Sequence, residues 1–414
     1  MRPLITRLCL ICSALTLSVA CVDPDADSPS PLGGSVTGGE EVAGVISGED
    51  LSGAVSGGEV GGAQGGATVS GESGGEALTY PPPPTTLSVA TYNVQNLFDF
   101  IDDPERDEGE FTPQRDSWTR GTYTAKVNAI AEALIFVDAD VVTLQEVESE
   151  TVLSDVADAV RRLGGRDYAH WATSSTRDIR GISLGVLSVY PVSREIGRPI
   201  NAQVQCASGE QLDGSRPEAR PIYEVNLWSD GTGEGRGGGP DSLTLLINHW
   251  KSRAAGDARC RVSEHQERGA RQLRELLEDW MSVEPQRAVI VLGDFNATDA
   301  EPAMSDVMNA HLDVSDINSA SALYNLWGEL GVEDGDPANV TTGSYRYDGL
   351  WFRLDHILVN QALLSSGEGR WELVSFEQIR NATLLRDGSP YYWSSRRREG
   401  YSDHLPLKVN LRLR

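Results

Sequence analysis

The chain has 414 residues, of which 61 are acidic and 35 are lysine or arginine, so its formal net charge is −26 at pH 7. This length allows two or three domains of average size, or one large α/β domain. The acidic balance excludes attraction of nucleic acid by the overall electrostatic field, so a polyanionic partner must meet a local basic patch, a metal ion, or both.

The first 20 residues have the pattern of an export signal. A basic start precedes the apolar run LCLICSALTLSVA, which is too short to cross a bilayer. Cys21 follows directly in a context similar to a bacterial lipobox, although Ser18 stands where leucine is usual. We predict a signal peptide over residues 1–20 and lipid attachment at Cys21, hence a lipoprotein of the cell envelope. Simple cleavage near Ala20, followed by secretion, is the alternative.

Residues 21–84 form a low-complexity segment. From residue 22 to residue 84 there are ten acidic residues and no lysine or arginine, set among glycine, serine, proline, alanine and valine. Such a composition has too little apolar side-chain volume to offset the entropy lost on ordering. We predict a disordered acidic tether that holds a domain, residues 85–414, away from a membrane.

Residues 85–414 alternate between strand-like and helix-like patterns, with no second linker. Apolar runs predict strands over 87–94, 140–148, 181–192, 243–250, 288–296, 354–360 and 405–413. Amphipathic periodicity predicts helices over 125–137, 152–165 and 264–281. The glycine-rich stretch 230–241 lacks the context of a phosphate-binding loop and is predicted to be a hairpin loop. The alternation predicts α/β layers with polar residues at strand ends.

Polar side chains lie at or next to the ends of these predicted strands. They are Asn93 in TYNVQNLFD, Glu146 in LQEVE, His249 in NHWKSR, Asp294 and Asn296 in GDFN, Asp355 in RLDHILV, and Asp403 with His404 in YSDH. Each one alone has an ordinary explanation, such as a turn cap, a surface carboxylate or a buried histidine. Their joint occurrence after successive strands indicates one composite site.

This set of motifs resembles the endonuclease/exonuclease/phosphatase superfamily, and above all its secreted bacterial nucleases. The resemblance extends over residues 87–414 and is carried by NVQNLFD, QEVE, NHWKSR, GDFN, LDHILV and SDHLPL. It implies a deoxyribonuclease I-like fold, an α/β four-layer sandwich of two mainly antiparallel sheets flanked by helices. It also implies metal-dependent hydrolysis of phosphoesters.

A divalent cation is expected because phosphodiester cleavage requires neutralisation of the phosphate oxygens and of the leaving-group charge. Mg²⁺ prefers oxygen ligands and keeps several waters, so one or two carboxylates are enough. We predict Glu146 as the principal ligand, with Asn93 beside it and Asp403 contributing through water. Mn²⁺ and Ca²⁺ are alternatives, whereas the sequence has no cysteine–histidine cluster with the spacing of a zinc site.

The remaining polar residues suit proton transfer and charge stabilisation, and the resemblance implies the same roles. Asp294, with Asn296 fixing its geometry, would deprotonate the attacking water. His249 and His404 would donate hydrogen bonds to the pentavalent phosphorane or protonate the leaving oxygen. Asp355 would orient the imidazole of His404.

A carboxylate partner for His249 is harder to identify in the sequence. Asp178 in TRDIRG is one candidate. A salt bridge from this carboxylate to Arg177 or Arg180 is the alternative explanation.

The segment PYYWSSRRREGYSDH combines aromatic and basic side chains next to the last motif. Tyr392 and Trp393 would stack on bases while Arg396, Arg397 and Arg398 hold phosphates. The segment would equally suit anionic lipid headgroups, and a solvated loop is the third explanation.

Nucleic acid is therefore the expected substrate and partner, and the membrane is contacted through the lipid anchor. A phospholipid or sphingomyelin phosphodiesterase and a phosphatase of small phosphate esters are the enzymatic alternatives. A non-catalytic surface-binding protein is the alternative of another class. The sequence indicates no obligate protein partner.

Two cysteines, Cys206 and Cys260, belong to the predicted domain. In an exported protein such a pair is expected to form a disulfide, which would add about 3–4 kcal/mol by closing the intervening loop. Two unpaired thiols are the alternative.

Overall fold

The structure is a computed structural model that describes residues 81–414 with internal gaps. The gaps are 107, 112–116, 179, 194–197, 199, 201–203, 208, 210, 213–219, 229–240, 254–260, 333–340 and 366–369. The predicted signal peptide, the lipid site Cys21 and nearly all of the tether lie outside the described residues, as do Cys260 and most of the glycine-rich stretch 230–241. Within the described ranges, no helix is both long enough and apolar enough to span a membrane.

Two of the long helices in the described chain begin at side-chain caps. The long helices are α1 (Arg120–Val137), α2 (Glu150–Arg162) and α3 (Val262–Val283). The Thr119 hydroxyl accepts a hydrogen bond from the Thr122 amide at the start of α1, and Ser149 does the same for Val152 in α2. These caps explain why α1 and α2 begin before the predicted residues 125 and 152. Shorter helical turns are Gly109–Phe111, Ala303–Val307, Val314–Asp316, Leu326–Leu330, Gln361–Leu363 and Ala382–Leu384.

The strands are mostly short and follow one another through the whole described chain. In chain order they are β1 (Thr86–Leu97), β2 (Val141–Val147), β3 (His170–Thr173), β4 (Ser183–Ser188), β5 (Val204–Gln205), β6 (Gln211–Leu212), β7 (Tyr223–Leu227), β8 (Leu243–His249), β9 (Ala288–Asp294), β10 (Ala310–His311), β11 (Leu323–Asn325), β12 (Tyr345–Tyr347), β13 (Leu350–Phe352), β14 (Asp355–Asn360), β15 (Trp371–Gln378), β16 (Leu385–Arg386), β17 (Ser389–Pro390) and β18 (Leu407–Leu413).

Two six-stranded sheets form the centre of the described chain. The first has the strand order β15-β18-β1-β2-β4-β3, and the second has the order β10-β11-β14-β9-β8-β7. Most neighbouring pairs are antiparallel, but β1 with β2, β8 with β9 and β10 with β11 are parallel. The α/β fold with two mainly antiparallel sheets is thus confirmed.

Strand alternation divides the apolar core into layers. In β1, Leu87 and Val89 pack in the core between the two sheets, whereas Ala90 and Tyr92 pack on the opposite side with α1 and α2. Helix α3 covers the second sheet, where Leu273 joins a third apolar cluster. The layers are therefore helices, sheet, sheet and helix, which is the predicted four-layer arrangement.

The sequence missed strands at the sheet edges. Strand β15 mixes buried and half-exposed residues, with the one exposed position Val374, so it lacks a continuous apolar run. Strand β3 has only four residues. Edge strands are supported on one side by their neighbour, so their sequences need not be apolar on both faces.

Candidate active site

One end of the core between the sheets is polar. The inward-facing positions along β8, β9 and β14 are apolar until they reach His249, Asp294 and Asp355. Because β9 runs parallel to β8 and antiparallel to β14, Asp294 is in register with both His249 and Asp355. The two strand directions bring the end of β8, the end of β9 and the start of β14 to the same edge.

Gly293 allows this close approach of β8 and β9. Its φ is +133°, and a Cβ at this position would collide with the carbonyl oxygen of Asn248. A residue with a side chain would therefore push the two strands apart next to Asp294. This explains why glycine precedes the aspartate in the GDFN motif.

Glu146 reaches the same edge through a bulge in β2. The register of β2 shifts between Gln145 and Val147, and Glu146 has φ +67°, an uncommon value for a residue other than glycine. Its Oε1 accepts a hydrogen bond from Asn93 Nδ2 at 3.3 Å, and its Oε2 accepts one from the Asn96 amide at 2.8 Å. The bulge thus turns a half-buried carboxylate towards the polar edge.

Asp294 is buried and held by amide donors. Its Oδ1 accepts from the Asn296 amide at 2.8 Å, and its Oδ2 accepts from Asn93 Nδ2 at 3.0 Å and Asn296 Nδ2 at 3.2 Å. Burial, followed by the charge of Asp355, raises the pKa of Asp294 above the usual range of a carboxyl group. An oriented carboxylate with raised proton affinity suits a general base.

His404 and Asp355 form a buried pair. His404 Nδ1 lies 2.7 Å from Asp355 Oδ2, and Nε2 lies 4.0 Å from Asp294 Oδ2. Burial disfavours the charged imidazole, but Asp355, Asp403 and Asp294 outweigh it and raise the pKa of His404 well above its usual value. The Tyr345 ring packs 5.0 Å from the imidazole, measured between centroids. His404 is therefore oriented as a proton donor.

His249 faces both carboxylates of the edge. Its Nε2 lies 3.6 Å from Glu146 Oε1 and 3.6 Å from Asp294 Oδ2. Burial, followed by the charges of Arg220 and Arg180, lowers the pKa of His249 well below its usual value. Its Nδ1 is buried and has no hydrogen-bond partner in the described chain. A neutral imidazole at this place can donate from Nε2 to an oxygen placed between it and the carboxylates.

The predicted pairing of Asp178 with His249 is wrong. The Asp178 carboxylate instead lies 3.4 Å from Arg180 Nη2 and 3.5 Å from Arg220 Nη2. Arg180 also donates to Asn96 Oδ1 at 3.0 Å, and the Asn96 amide in turn donates to Glu146, the residue at the bulge. The alternative explanation, a salt bridge to Arg180, is correct. Arg180 and Arg220 both lie next to the Asp178 carboxylate, so their positive charges engage it in place of His249.

Asp403 lies in the segment before β18 and interacts electrostatically with Glu146. The Ser402 hydroxyl donates to the Asn93 carbonyl at 2.7 Å and fixes the segment before β18 to β1. Burial raises the pKa of Asp403, and Glu146 raises it further, while His404 and Lys126 act in the opposite direction. The carboxylate groups of Asp403 and Glu146 are thus close enough to influence each other.

Lys126 of α1 is a site residue that the sequence reasoning missed. It is fully buried, donates from Nζ to the Tyr401 carbonyl at 2.9 Å, and lies 5.1 Å from the centroid of the Trp393 ring. Burial lowers its pKa to about 7, although the negative charges of Asp403 and Glu146 oppose this shift. A buried amine therefore lies within electrostatic range of the Asp403 and Glu146 carboxylates.

The edge offers two groups of donors for a cation. Single ligand atoms of Asp294, Asp355 and His404 lie within 4.8 Å of one another. In that group, however, His404 Nδ1 already bonds to Asp355. Glu146 and Asp403 are half-buried rather than fully buried, and together with Asn93 they supply oxygen ligands. Such a donor set fits Mg²⁺, Mn²⁺ or Ca²⁺ better than zinc.

Trp393 does not have the predicted surface position. Its side chain is only 3% exposed, and its ring faces the Lys126 ammonium. Its backbone amide donates to Gln95 Oε1 at 2.7 Å. The predicted stacking of this ring on a base is therefore wrong, because the indole packs inward beneath the site.

The arginines of the same segment are exposed. Tyr392 is half-buried, and Arg396, Arg397 and Arg398 are exposed to solvent. Arg397 Nε lies 2.7 Å from Glu399 Oε1, so part of its charge is compensated. The basic run is therefore accessible to an anion.

Cys206 is buried and disulfide-bonded. Its predicted partner, Cys260, lies outside the described residues. The pairing of these two cysteines stays a prediction.

Comparisons with known proteins identify the family of the chain. The model of the Endonuclease/Exonuclease/phosphatase family matches residues 88–211 and 224–413. A search of curated proteins found no match. Among solved structures, an endonuclease/exonuclease/phosphatase family protein from Bacteroides thetaiotaomicron is similar at 17% identity and a TM-score of 0.44, covering 81% of this chain and 97% of that one.

Truncated TDP2 from Caenorhabditis elegans is similar at 14% identity and a TM-score of 0.42, covering 79% of this chain and 97% of that one. Danio rerio TDP2, complexed with a single-strand DNA product, is similar at 16% identity and a TM-score of 0.40, covering 79% and 99%.

Proposed function

Because the chain belongs to the endonuclease/exonuclease/phosphatase family, whose members hydrolyse phosphoesters, we propose that it is a divalent-metal-dependent nuclease. The observation that carries the proposal is the meeting of Glu146, Asp294 and His249 within 3.6 Å contacts at one edge. A metal ligand, a general base and a hydrogen-bond donor are the groups that hydrolysis of a phosphodiester requires.

Glu146, Asn93 and Asp403 would hold the cation. When bound there, a divalent ion would neutralise the phosphate oxygens and the charge that develops on the leaving group. The bulge that turns Glu146 towards Asn93 supports this assignment, since both side chains are already fixed by hydrogen bonds. Mg²⁺ is our first choice because it needs only one or two carboxylates.

The chain's own residues would carry the proton transfers. Asp294 accepts a proton from the attacking water and keeps its orientation through the Asn296 and Asn93 amides. His404, held by Asp355, donates to the leaving oxygen or to the phosphate. His249 donates from Nε2 to a phosphate oxygen, where its neutral form avoids a competing positive charge.

Nucleic acid is the proposed substrate because of the exposed basic run. Arg396, Arg397 and Arg398 are exposed and lie a few residues before Asp403 and His404 in the chain, so they are the basic group that we assign to the phosphate backbone. An acidic protein can bind a polyanion only through such local positive charge.

We also propose export and anchoring to the cell envelope through a lipid on Cys21. The motive is the apolar run that precedes this cysteine. Cell fractionation of the full chain and of the Cys21→Ser variant tests it. Membrane-bound wild type and a soluble variant are expected, whereas identical fractions would refute lipid attachment.

The experiment for the catalytic proposal incubates the full chain with plasmid DNA, RNA or sphingomyelin vesicles, with and without EDTA. We expect cleavage of a nucleic acid that EDTA abolishes and added Mg²⁺ restores, and no cleavage by Asp294→Asn. Asp316→Asn, an exposed aspartate, is the matched control. Hydrolysis of sphingomyelin alone would replace the nuclease by a lipid phosphodiesterase, and inactivity on every substrate would overturn the enzymatic proposal.

A further inference from the structure

A small basic cleft lies directly behind His249. Its walls include the basic side chains of Arg220, Lys251, His265 and Arg268. Among the residues that the structure describes, no carboxylate lines it. The cleft is shallow and open to solvent, with an empty space of about 300 Å³ that includes its mouth. Such a concentration of positive charge is unusual in a chain with a net charge of −26.

The cleft shares a side chain with the catalytic edge. His249 lines it, while Nε2 of the same ring lies 3.6 Å from Glu146 and from Asp294. One imidazole therefore separates the basic cleft from the carboxylates. Two neighbouring groups of one ligand could therefore occupy the cleft and the catalytic edge at the same time.

The cleft is constructed by fixed elements. Arg220 Nη1 donates to the Trp250 carbonyl at 3.0 Å, and Arg268 Nη2 donates to the Ile200 carbonyl, so each guanidinium is held in place. Asp178 lies 3.5 Å from Arg220 but outside the lining. Two buried polar atoms beside the cleft, His249 Nδ1 and Trp250 Nε1, have no hydrogen-bond partner in the described chain. A positive, polar and pre-organised cleft favours an anion.

We propose that this cleft binds a second phosphate group of the nucleic-acid substrate, next to the phosphate that is cleaved. The inference rests on the proposed function and deepens it. The chemistry of the cleft is the same for two sources of phosphate. One is the adjacent internal phosphodiester, and the other is a terminal monophosphate. Either would position the strand so that the scissile bond lies between His249 and Asp294.

The test uses the full chain and the variants Lys251→Ala and His265→Ala, both at half-buried lining positions. The matched control is Arg271→Ala, which removes an exposed positive charge from the same helix, α3. Each protein is assayed on a single-stranded oligonucleotide and on bis-p-nitrophenyl phosphate. Each is also titrated with inorganic phosphate, followed by the thermal unfolding midpoint. Circular dichroism verifies that the variants are folded.

We expect each lining variant to lose about three- to tenfold in kcat/KM on the oligonucleotide beyond any loss on the small diester. We also expect phosphate to stabilise the wild type and the control more than the lining variants. A 5′-phosphate that enhances cleavage by the wild type alone identifies the terminal monophosphate as the source. An equal loss on oligonucleotides with and without that phosphate identifies the internal diester.

Equal losses on the oligonucleotide and the small diester, with equal stabilisation by phosphate, would overturn the cleft proposal while leaving the nuclease intact. If the wild type cleaves no nucleic acid, the nuclease proposal fails. The phosphate titration then still decides whether the cleft binds the anion.

Discussion

His404 Nδ1 lies 2.7 Å from Asp355 Oδ2, although the two residues are 49 positions apart in the sequence. Asp355 opens β14, and His404 precedes β18, so the contact joins the two sheets at their polar edge. Burial of the pair strengthens its electrostatic attraction, and the imidazole is held with Nε2 towards Asp294. The pair acts as one unit, which leads to the first prediction.

His404→Ala is expected to lower kcat by about 10²–10⁴ because the oriented proton donor is lost. Asp355→Asn should lower it less, and the double variant should be no slower than His404→Ala alone, since Asp355 acts through His404. Steady-state kinetics on bis-p-nitrophenyl phosphate measure all three. His170→Ala, on the edge strand β3, is the control. Fully additive losses would show that Asp355 has a separate role.

Glu146→Gln is expected to raise the Mg²⁺ concentration for half-maximal activity by at least about tenfold. The amide keeps the shape and an oxygen, but it loses the negative charge that attracts the cation. Activity against Mg²⁺ concentration measures the midpoint. Asp316→Asn again serves as the control. An unchanged midpoint would point to Asp403 as the principal ligand.

Replacement of Arg396, Arg397 and Arg398 by alanine is expected to weaken cleavage of nucleic acid more than cleavage of a small diester. The slope of log KM against log salt should become shallower, by up to the contribution of about three phosphate contacts, because fewer counterions are released. Kinetics between 50 and 200 mM salt (about a fourfold range) measure it. If Tyr392→Ala impairs hydrolysis of vesicles instead, and the arginines matter only on anionic vesicles, the segment serves a lipid substrate.

Lys126→Met is expected to change how stability depends on pH. Burial lowers the pKa of Lys126 to about 7 from 10.5, so between these values the folded chain binds fewer protons than the unfolded chain. Stability from this group is therefore complete above about pH 10.5 and is lost as the pH falls towards 7. Urea unfolding in EDTA between pH 7 and 9.5 should show that the free energy of unfolding of the wild type increases with pH relative to that of the variant. A constant difference would contradict the lowered pKa.

Cys206 and Cys260 are expected to form the disulfide of the domain. Mass spectrometry of a digest under non-reducing conditions should show one cross-linked peptide pair, and reduction should separate it. Cys206 is disulfide-bonded in the structure. A cross-link from Cys206 to a cysteine other than Cys260 would therefore contradict the predicted partner, although not the disulfide itself.

The sequence alone was enough to predict the alternating elements, the family resemblance and the residues that meet at the polar edge. Strand interiors are apolar because both faces are covered, so the polar residue after each run stands out without knowledge of the fold. This pattern identifies Asn93, His249, Asp294 and Asp355. Lys126 also has a signal in the sequence, because its spacing from Tyr123 and Ile130 places it on the same buried face of α1.

Other features were decided only by the tertiary structure. Alternation cannot show that a bulge with positive φ turns Glu146 towards Asn93, because a register shift depends on the neighbouring strands. Nor does a local sequence reveal which of several carboxylates an arginine meets, as with Asp178, or whether an aromatic residue near a basic run packs inward, as Trp393 does. The basic cleft has the same origin. Arg220, Lys251 and Arg268 come from three separate segments, and only packing of α3 against the end of β8 brings their charges together.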